Sequence, residues 1–317
     1  MFKKRQQTVQ AGLTITHDAI VLVLARRQKQ ERPVLVEAVR EVLGPDVSVR
    51  DALEGLNKRF GLSRLPCVCV LEPGEYSLLQ MEAPNVAVEE LKSALRWKIK
   101  DLIDFHVDDA TLDLFQMPES SRSGSIDMVN VVVAKSSLIQ YLVDICHDTD
   151  IEPEAIDITE LALRNISRQC MADDDRPAAS MYMLPNNVFI EVSDPSALYL
   201  SRNIEFSMDD MRNPAPTDTV ELGEPAPYAN SEYDQLSLEM QRSMDYYESH
   251  YGRGPADLMR LLQDAGNGQE FIDFASQQLP FRIESIGLGD HIDGVEHIAD
   301  DDLPHFIPAL GGALRAA

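Results

Sequence analysis

A chain of 317 residues is long enough for two packed domains or for one large two-lobed domain. Its hydrophobic fraction of 44% and charged fraction of 26% are those of a globular protein and exclude a disordered one. The net charge of −25 argues against nucleic acid as a partner. No apolar run reaches about 18 residues, so we predict no membrane span.

Charge is distributed unevenly along the chain. Residues 1–100 carry 16 Lys and Arg against 12 Asp and Glu, so the remaining 217 residues carry 12 against 41. Much of the positive charge lies near the start and in one predicted hairpin turn, at Lys3, Lys4, Arg5, Arg26, Arg27, Lys29 and Arg32. This polarity either directs the first part of the chain toward anionic lipid or an acidic partner, or is an uneven soluble surface.

The start of the chain and its cysteines indicate a cytoplasmic protein. The segment MFKKRQQTVQAG has a basic start but no apolar stretch, so it is not expected to be a secretory signal. Cys67 and Cys69 alternate within a predicted strand, and Cys146 and Cys170 lie far from them. That spacing does not match a zinc site, so all four are expected in the core.

The first half of the chain alternates predicted strands and helices. Strands or extended segments are predicted at 12–25, 33–42, 67–73, 76–84, 109–118, 128–134 and 151–158. Helices are predicted at 48–60, with Ser48 as N-cap, and at 88–103, 136–146 and 159–170. The apolar stripe of the 88–103 helix is Val88, Leu91, Leu95, Ile99 and Leu102, which leaves Trp97 off the stripe.

The second half repeats this order of elements after a polar link at 171–179. Strands are predicted at 180–184, 186–192 and 197–206, followed by an acidic, Pro-rich loop at 209–234. A long helix follows, because Leu236, Met240, Met244, Tyr247 and Tyr251 recur at helical spacing, and Gly252 and Pro255 should end it. A further strand at FRIESI and a short apolar helix, FIPALGGALRAA, close the chain.

These elements predict an α/β protein of two lobes, each opened by a β-hairpin that leads into a central sheet. We assign residues 1–157 to lobe one and residues 158–305 to lobe two. The closing helix, 306–317, is expected to return to lobe one.

Two segments, Glu90–Leu114 and Gln235–Gly252, resemble the PilM family of pilus-assembly proteins. The first is a helix with an Arg-Trp pair that runs into a Phe-centred turn and an extended Asp-rich piece. Glu152–Asn165 and Ala309–Arg315 support the likeness at the crossing between lobes and in the closing helix. The resemblance implies an actin-like ATPase (RNase H-like) fold.

In proteins of that fold, two hairpin turns hold the phosphates of ATP, with an Asp for the magnesium water shell and small residues beside it. The first turn here reads Gly12-Leu13-Thr14-Ile15-Thr16-His17-Asp18. Thr14 stands where the family has its Asp, and Asp18 is expected beyond the turn. If nucleotide binds at all, the resemblance assigns it to Gly12, Thr14, Thr16 and Asp18.

The second turn departs further from the family pattern. Leu184 and Pro185 replace the Asp-x-Gly pair, so a metal ligand and a backbone donor are both lost. The glycine-rich adenosine turn keeps only Gly266 and Gly268, and the chain has no Walker A pattern. We therefore expect a pseudo-ATPase with no catalytic residue, no metal and no required cofactor, nearest to the branch that serves mannose-sensitive haemagglutinin (MSHA) pili.

The resemblance implies an adaptor rather than an enzyme. The partner would be the cytoplasmic peptide of a PilN-like single-span inner-membrane protein, together with other pilus-assembly components. The chain itself would be cytoplasmic and peripheral at the inner membrane through those partners. Arg96 and Trp97 are candidate docking residues, although Trp97 is also compatible with internal packing.

Three rival functions remain. The first is a working ATP switch held by residues of the altered cleft, and the second is a small-molecule kinase, which lacks an evident catalytic Asp. The third is polymerisation into filaments. His291, His297 and His305 lie among carboxylates at 289–306, but their spacing matches no zinc signature, so this segment is expected to be a solvated acidic loop.

Overall fold

The computed structural model describes residues 8–27, 31–118, 127–171, 177–194, 196–206, 231–251, 257–262 and 268–316. Within them, two five-stranded sheets and one three-stranded sheet combine with seven α-helices. None of the helices in these ranges is long and apolar enough to cross a membrane.

The first sheet contains β1 (Thr8–Ile15), β2 (Ala19–Arg27), β3 (Val34–Val42), β4 (Cys67–Leu71) and β8 (Pro153–Ile158). Its order is β3-β2-β1-β4-β8, with the first three strands antiparallel and β4 and β8 parallel to β1. The segment predicted as one strand at 12–25 is therefore two strands joined by a turn at 16–18. Thr8 pairs with Arg27, so β1 begins where β2 ends.

The second sheet has the same topology. It contains β9 (Ala178–Met183), β10 (Asn187–Ser193), β11 (Leu198–Glu205), β12 (Leu258–Leu261) and β13 (Arg282–Ser285). Its order, β11-β10-β9-β12-β13, again joins an antiparallel meander to two parallel strands. The architectural repeat predicted from the order of elements is confirmed.

A third sheet, which the sequence did not predict as a separate unit, lies between β4 and β8 in the chain. Its strands are β5 (Tyr76–Glu82), β7 (Met128–Lys135) and β6 (Ala110–Gln116), all antiparallel in the order β5-β7-β6. Helix α2 (Val88–Lys98) covers one face of it through Leu95, and Ile99 follows in the adjoining turn.

The remaining helices form layers around the two large sheets. They are α1 (Val49–Phe60), α3 (Ser136–Asp148), α4 (Thr159–Cys170), α5 (Ser231–Tyr251), α6 (Gly268–Gln278) and α7 (Leu303–Ala313). Helices α1 and α3 cover the outer face of the first sheet, α4 and α7 lie between the sheets, and α5 and α6 cover the second sheet. Both faces of β2 are therefore buried, which explains its continuous apolar run.

Several local predictions are confirmed. Ser48 caps α1 by accepting a hydrogen bond from the Asp51 N–H at 3.1 Å. The predicted stripe of α5, from Leu236 to Tyr251, is buried against the second sheet. Helix α4 has the predicted bounds, and all four cysteines are buried and free.

Other local predictions need correction. Helix α2 ends at Lys98 rather than Ile103, a 3₁₀ turn follows at Ile99–Asp101, and Leu102 is 55% exposed instead of lying in the stripe. Residues 231–234, assigned to the acidic loop, belong to α5, whereas 209–230, Gly252 and Pro255 lie outside the described residues. The closing helix begins at Leu303 and ends at Ala313.

The acidic segment at 289–306 is also not a solvated loop throughout. Leu288, Ile292 and Val295 are buried in the core between the sheets, and backbone hydrogen bonds join Asp293 to Pro33 and Leu35 beside β3. Its carboxylates line the outside of a packed segment, because the apolar residues between them point inward.

Helix α7 lies unusually close to β1 and to α4, and glycines permit the contact. A Cβ at Gly12 would lie 1.8 Å from the Ala309 carbonyl oxygen, and one at Gly311 would lie 2.2 Å from the Ala162 carbonyl oxygen. Such backbone contacts exclude any side chain. Gly12 therefore serves the close packing of β1 against α7.

Candidate functional site

The candidate site is a cleft of about 320 Å³ between the lobes. Its walls come from the β1–β2 turn, the residues after β4, the β9–β10 turn and the first turn of α7, with Arg40 of β3 between them. The two turns that the resemblance identified as phosphate-binding thus face one space. This follows from the shared topology of the two sheets, which places the first hairpin turn of each at the same position.

The β1–β2 turn is closed by its own side chains. The Thr16 hydroxyl donates to Asp18 Oδ1 at 2.6 Å and accepts from the Ala19 N–H at 2.9 Å and the Asp18 N–H at 3.3 Å. The hydrogen bond from Thr16 is the main cause of the lowered pKa of Asp18. Asp18, expected beyond the turn, is instead its last residue.

The β9–β10 turn offers few free donors to a phosphate. The Leu184 N–H donates to the Asn187 carbonyl oxygen at 2.8 Å, and Leu184 itself is buried. Pro185 has no N–H to donate. The turn therefore lacks the donors expected of a phosphate loop at both positions where the sequence departs from the family.

Glu72, which sequence reasoning missed, is the second carboxylate that lines the cleft. It directly follows β4, and its N–H donates to Glu75 Oε2 at 2.8 Å. Burial raises the pKa of Glu72 to about 7, and the carboxylates of Glu75 and Asp18 add to the rise. The sequence did contain a signal for Glu72, because the motif Glu72-Pro-Gly-Glu75 directly follows a buried strand. The carboxyl ends of parallel strands commonly form ligand crevices.

Cationic groups are few in the cleft. Arg40 Nη2 lies 4.0 Å from Asp18 Oδ2. Burial lowers the pKa of His305, on the first turn of α7, and the charge of Arg40 lowers it further. Neutral His305 and a single arginine beside two carboxylates make a poor counter-charge for a triphosphate.

ATP with magnesium, the ligand that this type of cleft implies, does not fit the residues present. The N–H groups of Asp18, Ala19 and Leu184 already have intramolecular partners, and Thr16 N–H donates to the Ala19 carbonyl oxygen at 2.9 Å. Asp18 is one available metal carboxylate, but it is hydrogen-bonded to Thr16, and Leu184 replaces the other.

Of the other predicted nucleotide residues, those that the structure describes do not join the cleft. Gly12 packs against α7, and Thr14 is buried in β1 with no hydrogen-bond partner for its hydroxyl among the described residues. Gly268 is the first residue of α6, and Gly266 lies outside the described residues. Among the described members of the predicted set, Thr16 and Asp18 alone line the cleft.

Arg96 and Trp97, the two candidate docking residues, have different roles. Arg96 Nη1 donates to the Val107 carbonyl oxygen at 2.7 Å, and Nη2 donates to the Ala110 carbonyl oxygen at 2.9 Å. These bonds fasten α2 to the start of β6. Trp97 is 76% exposed on the outer face of α2, so the packing alternative for this side chain is not realised.

Comparison with known proteins gives structural but no sequence matches. No protein-family model and no curated protein matches the chain. Among solved structures, it is similar to a chain of the PilM–PilN type IV pilus biogenesis complex, with a TM-score of 0.66 and 18% identity over 98% of this chain and 99% of that chain.

Two further structures are similar at lower scores. A Bacteroides thetaiotaomicron protein with an actin-like ATPase fold and unknown function has a TM-score of 0.50 and 8% identity, over 90% of this chain and 94% of that one. The cytoplasmic domain of EpsL, from the type II secretion system of Vibrio cholerae, has a TM-score of 0.49 and 12% identity, over 81% and 82%. The chain therefore has the two-lobed actin-like ATPase fold of PilM, as the resemblance implied.

Proposed function

We propose that this chain is a cytoplasmic adaptor of type IV pilus assembly, of the MSHA type served by MshI, and that it is a pseudo-ATPase. The observation that carries the proposal is the structural likeness to a chain of the PilM–PilN complex, which extends over nearly the full length of both chains. The segment Glu90–Leu114, whose sequence resembles the PilM family, adds support.

In this function, the chain binds the cytoplasmic peptide of a PilN-like single-span protein and is held at the inner membrane by that partner. Trp97 supports a docking role because an exposed tryptophan on a well-anchored helix is the residue type that dominates binding energy at interfaces. The internal hydrogen bonds of Arg96 support the same role indirectly, since they fix the helix that presents Trp97.

Truncation of Trp97 tests the docking role. We expect Trp97→Ala to weaken binding of the cytoplasmic PilN-like peptide by about 30-fold, which corresponds to the loss of a hot spot of about 2 kcal/mol. Isothermal calorimetry with the synthetic peptide measures this change. Tyr141→Ala, which removes a 46% exposed aromatic side chain from α3, is the matched control and should bind as the parent does. Equal losses in both variants would contradict the assignment of the docking surface to α2.

A second titration tests the pseudo-ATPase. We expect no saturable binding of Mg-ATP at micromolar concentration, because micromolar affinity requires about 8 kcal/mol. The N–H groups of Thr16, Asp18, Ala19 and Leu184 are already hydrogen-bonded within the chain. The control is the same titration on Leu184→Asp/Pro185→Gly, which restores a carboxylate and a backbone donor. Micromolar binding by the unmodified chain would instead establish the alternative function, an ATP-binding switch that uses Thr16, Asp18 and Glu72.

A further inference from the structure

The cleft between the lobes is still large enough for a small ligand, although the groups that would hold ATP are missing. Its volume of about 320 Å³ lies within the usual range of small-molecule sites. Much of its wall is apolar and consists of Ala19, Val21, Leu184, Pro73, Pro185, Pro304 and Pro308. Such a wall suits hydrocarbon, so the few polar groups in it decide which ligand charge is accepted.

The charged groups of the cleft leave one carboxyl without a counter-charge. Asp18 accepts the hydrogen bond from Thr16 and has Arg40 Nη2 at 4.0 Å. Arg40 is the one arginine or lysine among the described residues of the cleft wall. The Glu72 carboxyl has neither a hydrogen bond nor an ion pair with any residue that the structure describes. Glu72 is therefore the group that a bound cation can still pair with.

The surroundings of Glu72 also favour a cation. Burial is the largest cause of its raised pKa, and the charges of Glu75 and Asp18 add to the rise. His17 and Arg40 act in the opposite direction, but the pKa of Glu72 still reaches about 7. A cation bound beside the carboxylate would offset both the burial and the repulsion, because it favours the charged form.

The donor set of the cleft suits an organic cation better than a metal ion. Among the described residues, no group of three His, Cys, Asp or Glu side chains is placed to hold a metal. An alkylammonium ion needs fewer partners, since its nitrogen carries three N–H donors that two carboxylates can accept. Its alkyl chain can lie against the prolines of the wall.

We propose that the cleft binds a small aliphatic amine, with the ammonium group between Glu72 and Asp18 and the alkyl chain against the proline-lined wall. The ligand therefore has the opposite charge to ATP, whose place in this type of cleft it takes. This binding goes beyond the adaptor function, because it uses neither α2 nor Trp97.

Binding of the amine should tighten as pH rises through 7. With a pKa of about 7, the ionised fraction of Glu72 rises from about one tenth at pH 6 to about nine tenths at pH 8. An alkylamine, like a lysine side chain, stays charged over this range, so its affinity should rise about 10-fold. The pKa of Asp18 is lowered, mainly by the hydrogen bond from Thr16, so Asp18 stays ionised. Burial lowers the pKa of His305, which favours its neutral form.

Ligand-observed NMR titration of the full chain with n-butylamine tests the proposal. Neutral n-butanol and anionic butyrate are probes of the same alkyl length, and n-butylamine should bind on the order of 10-fold more tightly than either. Glu72→Gln should weaken the binding of n-butylamine on the order of 10-fold at pH 8 and abolish the dependence on pH. The matched control is Glu82→Gln, which removes an exposed carboxyl at the end of β5 and should leave binding unchanged. Because imidazoles also change charge near neutral pH, His17→Gln is included and should keep the pH dependence.

Three results would overturn the proposal. One is binding of n-butylamine that is absent or no tighter than that of n-butanol, and another is an equal loss in Glu82→Gln, which would show an effect of net charge alone. The third is a pH dependence that persists in Glu72→Gln and disappears in His17→Gln, which would assign the titration to the imidazole. Circular dichroism of each variant checks that the fold is intact. None of these outcomes involves the PilN-like peptide, so failure here leaves the adaptor function standing.

Discussion

Gly12→Ala should destabilise the chain by about 3 kcal/mol, near the top of the range for an overpacked core. The added methyl group would lie 1.8 Å from the Ala309 carbonyl oxygen and 2.6 Å from the Ala313 nitrogen, both backbone atoms of α7. Neither atom belongs to a flexible side chain, so relief requires a shift of the whole helix. Urea denaturation followed by circular dichroism measures the change in the free energy of unfolding.

Gly55→Ala is the matched control for this substitution. Gly55 lies within α1, and a Cβ there would meet nothing within 4 Å. Alanine is the better helix former, so this variant should gain about 0.5–1 kcal/mol. Equal stability changes in the two variants would contradict the close packing of α7 on β1. If Gly12→Ala has the same free energy of unfolding as the parent chain, Gly12 becomes a candidate for nucleotide binding again.

Glu191→Gln should stabilise the chain at neutral pH. Glu191 of β10 is fully buried, with the Ser201 hydroxyl of β11 beside it. Burial raises the pKa of Glu191 well above 4.5, and the nearby charge of Glu160 adds to the rise, while Arg164 opposes it. Tyr182 of β9 is a further titratable group near this carboxyl, and burial raises the pKa of Tyr182 as well.

The sign of the pH dependence follows from the raised pKa. The native state holds the Glu191 proton above pH 4.5 whereas the unfolded chain releases it, so the contribution of this group is full below pH 4.5 and declines as pH rises toward the folded pKa. The decline is about 1.4 kcal/mol per pH unit. The advantage of Glu191→Gln should therefore be near zero at pH 4.5 and grow steadily above it.

Stability curves at several pH values for the parent and the variant test this dependence. Glu205→Gln, at an exposed position at the end of β11, is the control, because it removes a carboxyl that is not buried. A difference between parent and Glu191→Gln that stays constant from pH 4.5 to neutrality would mean that the buried carboxyl is ionised in the native state.

Patterns confined to one element were readable from the sequence. The stripe of α5 and the cap at Ser48 were predictable because helical periodicity and capping depend on residues only a few positions apart. The repeat of the two large sheets also followed, since it needs only the order of strands and helices. Trp97 was identified as off the stripe of α2, and it is exposed.

Features that depend on contacts between distant segments were not readable. Gly12 resembled a phosphate-loop glycine, but its partner, α7, lies at the other end of the chain. Glu72 entered the cleft only through the parallel pairing of β4 beside β1. The third sheet was missed because β5, β6 and β7 have the same apolar patterns as strands of a single larger sheet.

The position of α7 has a consequence for biosynthesis. Gln10 Nε2 donates to the Gly312 carbonyl oxygen across 302 positions of sequence, and the inner face of β2 is covered by the same helix. A ribosome therefore makes the first hairpin long before the helix that shields it, and the nascent lobe presents apolar surface throughout translation. Long-range closure of this kind is slow and exposes the chain to aggregation, so we expect a need for chaperones until the last helix emerges.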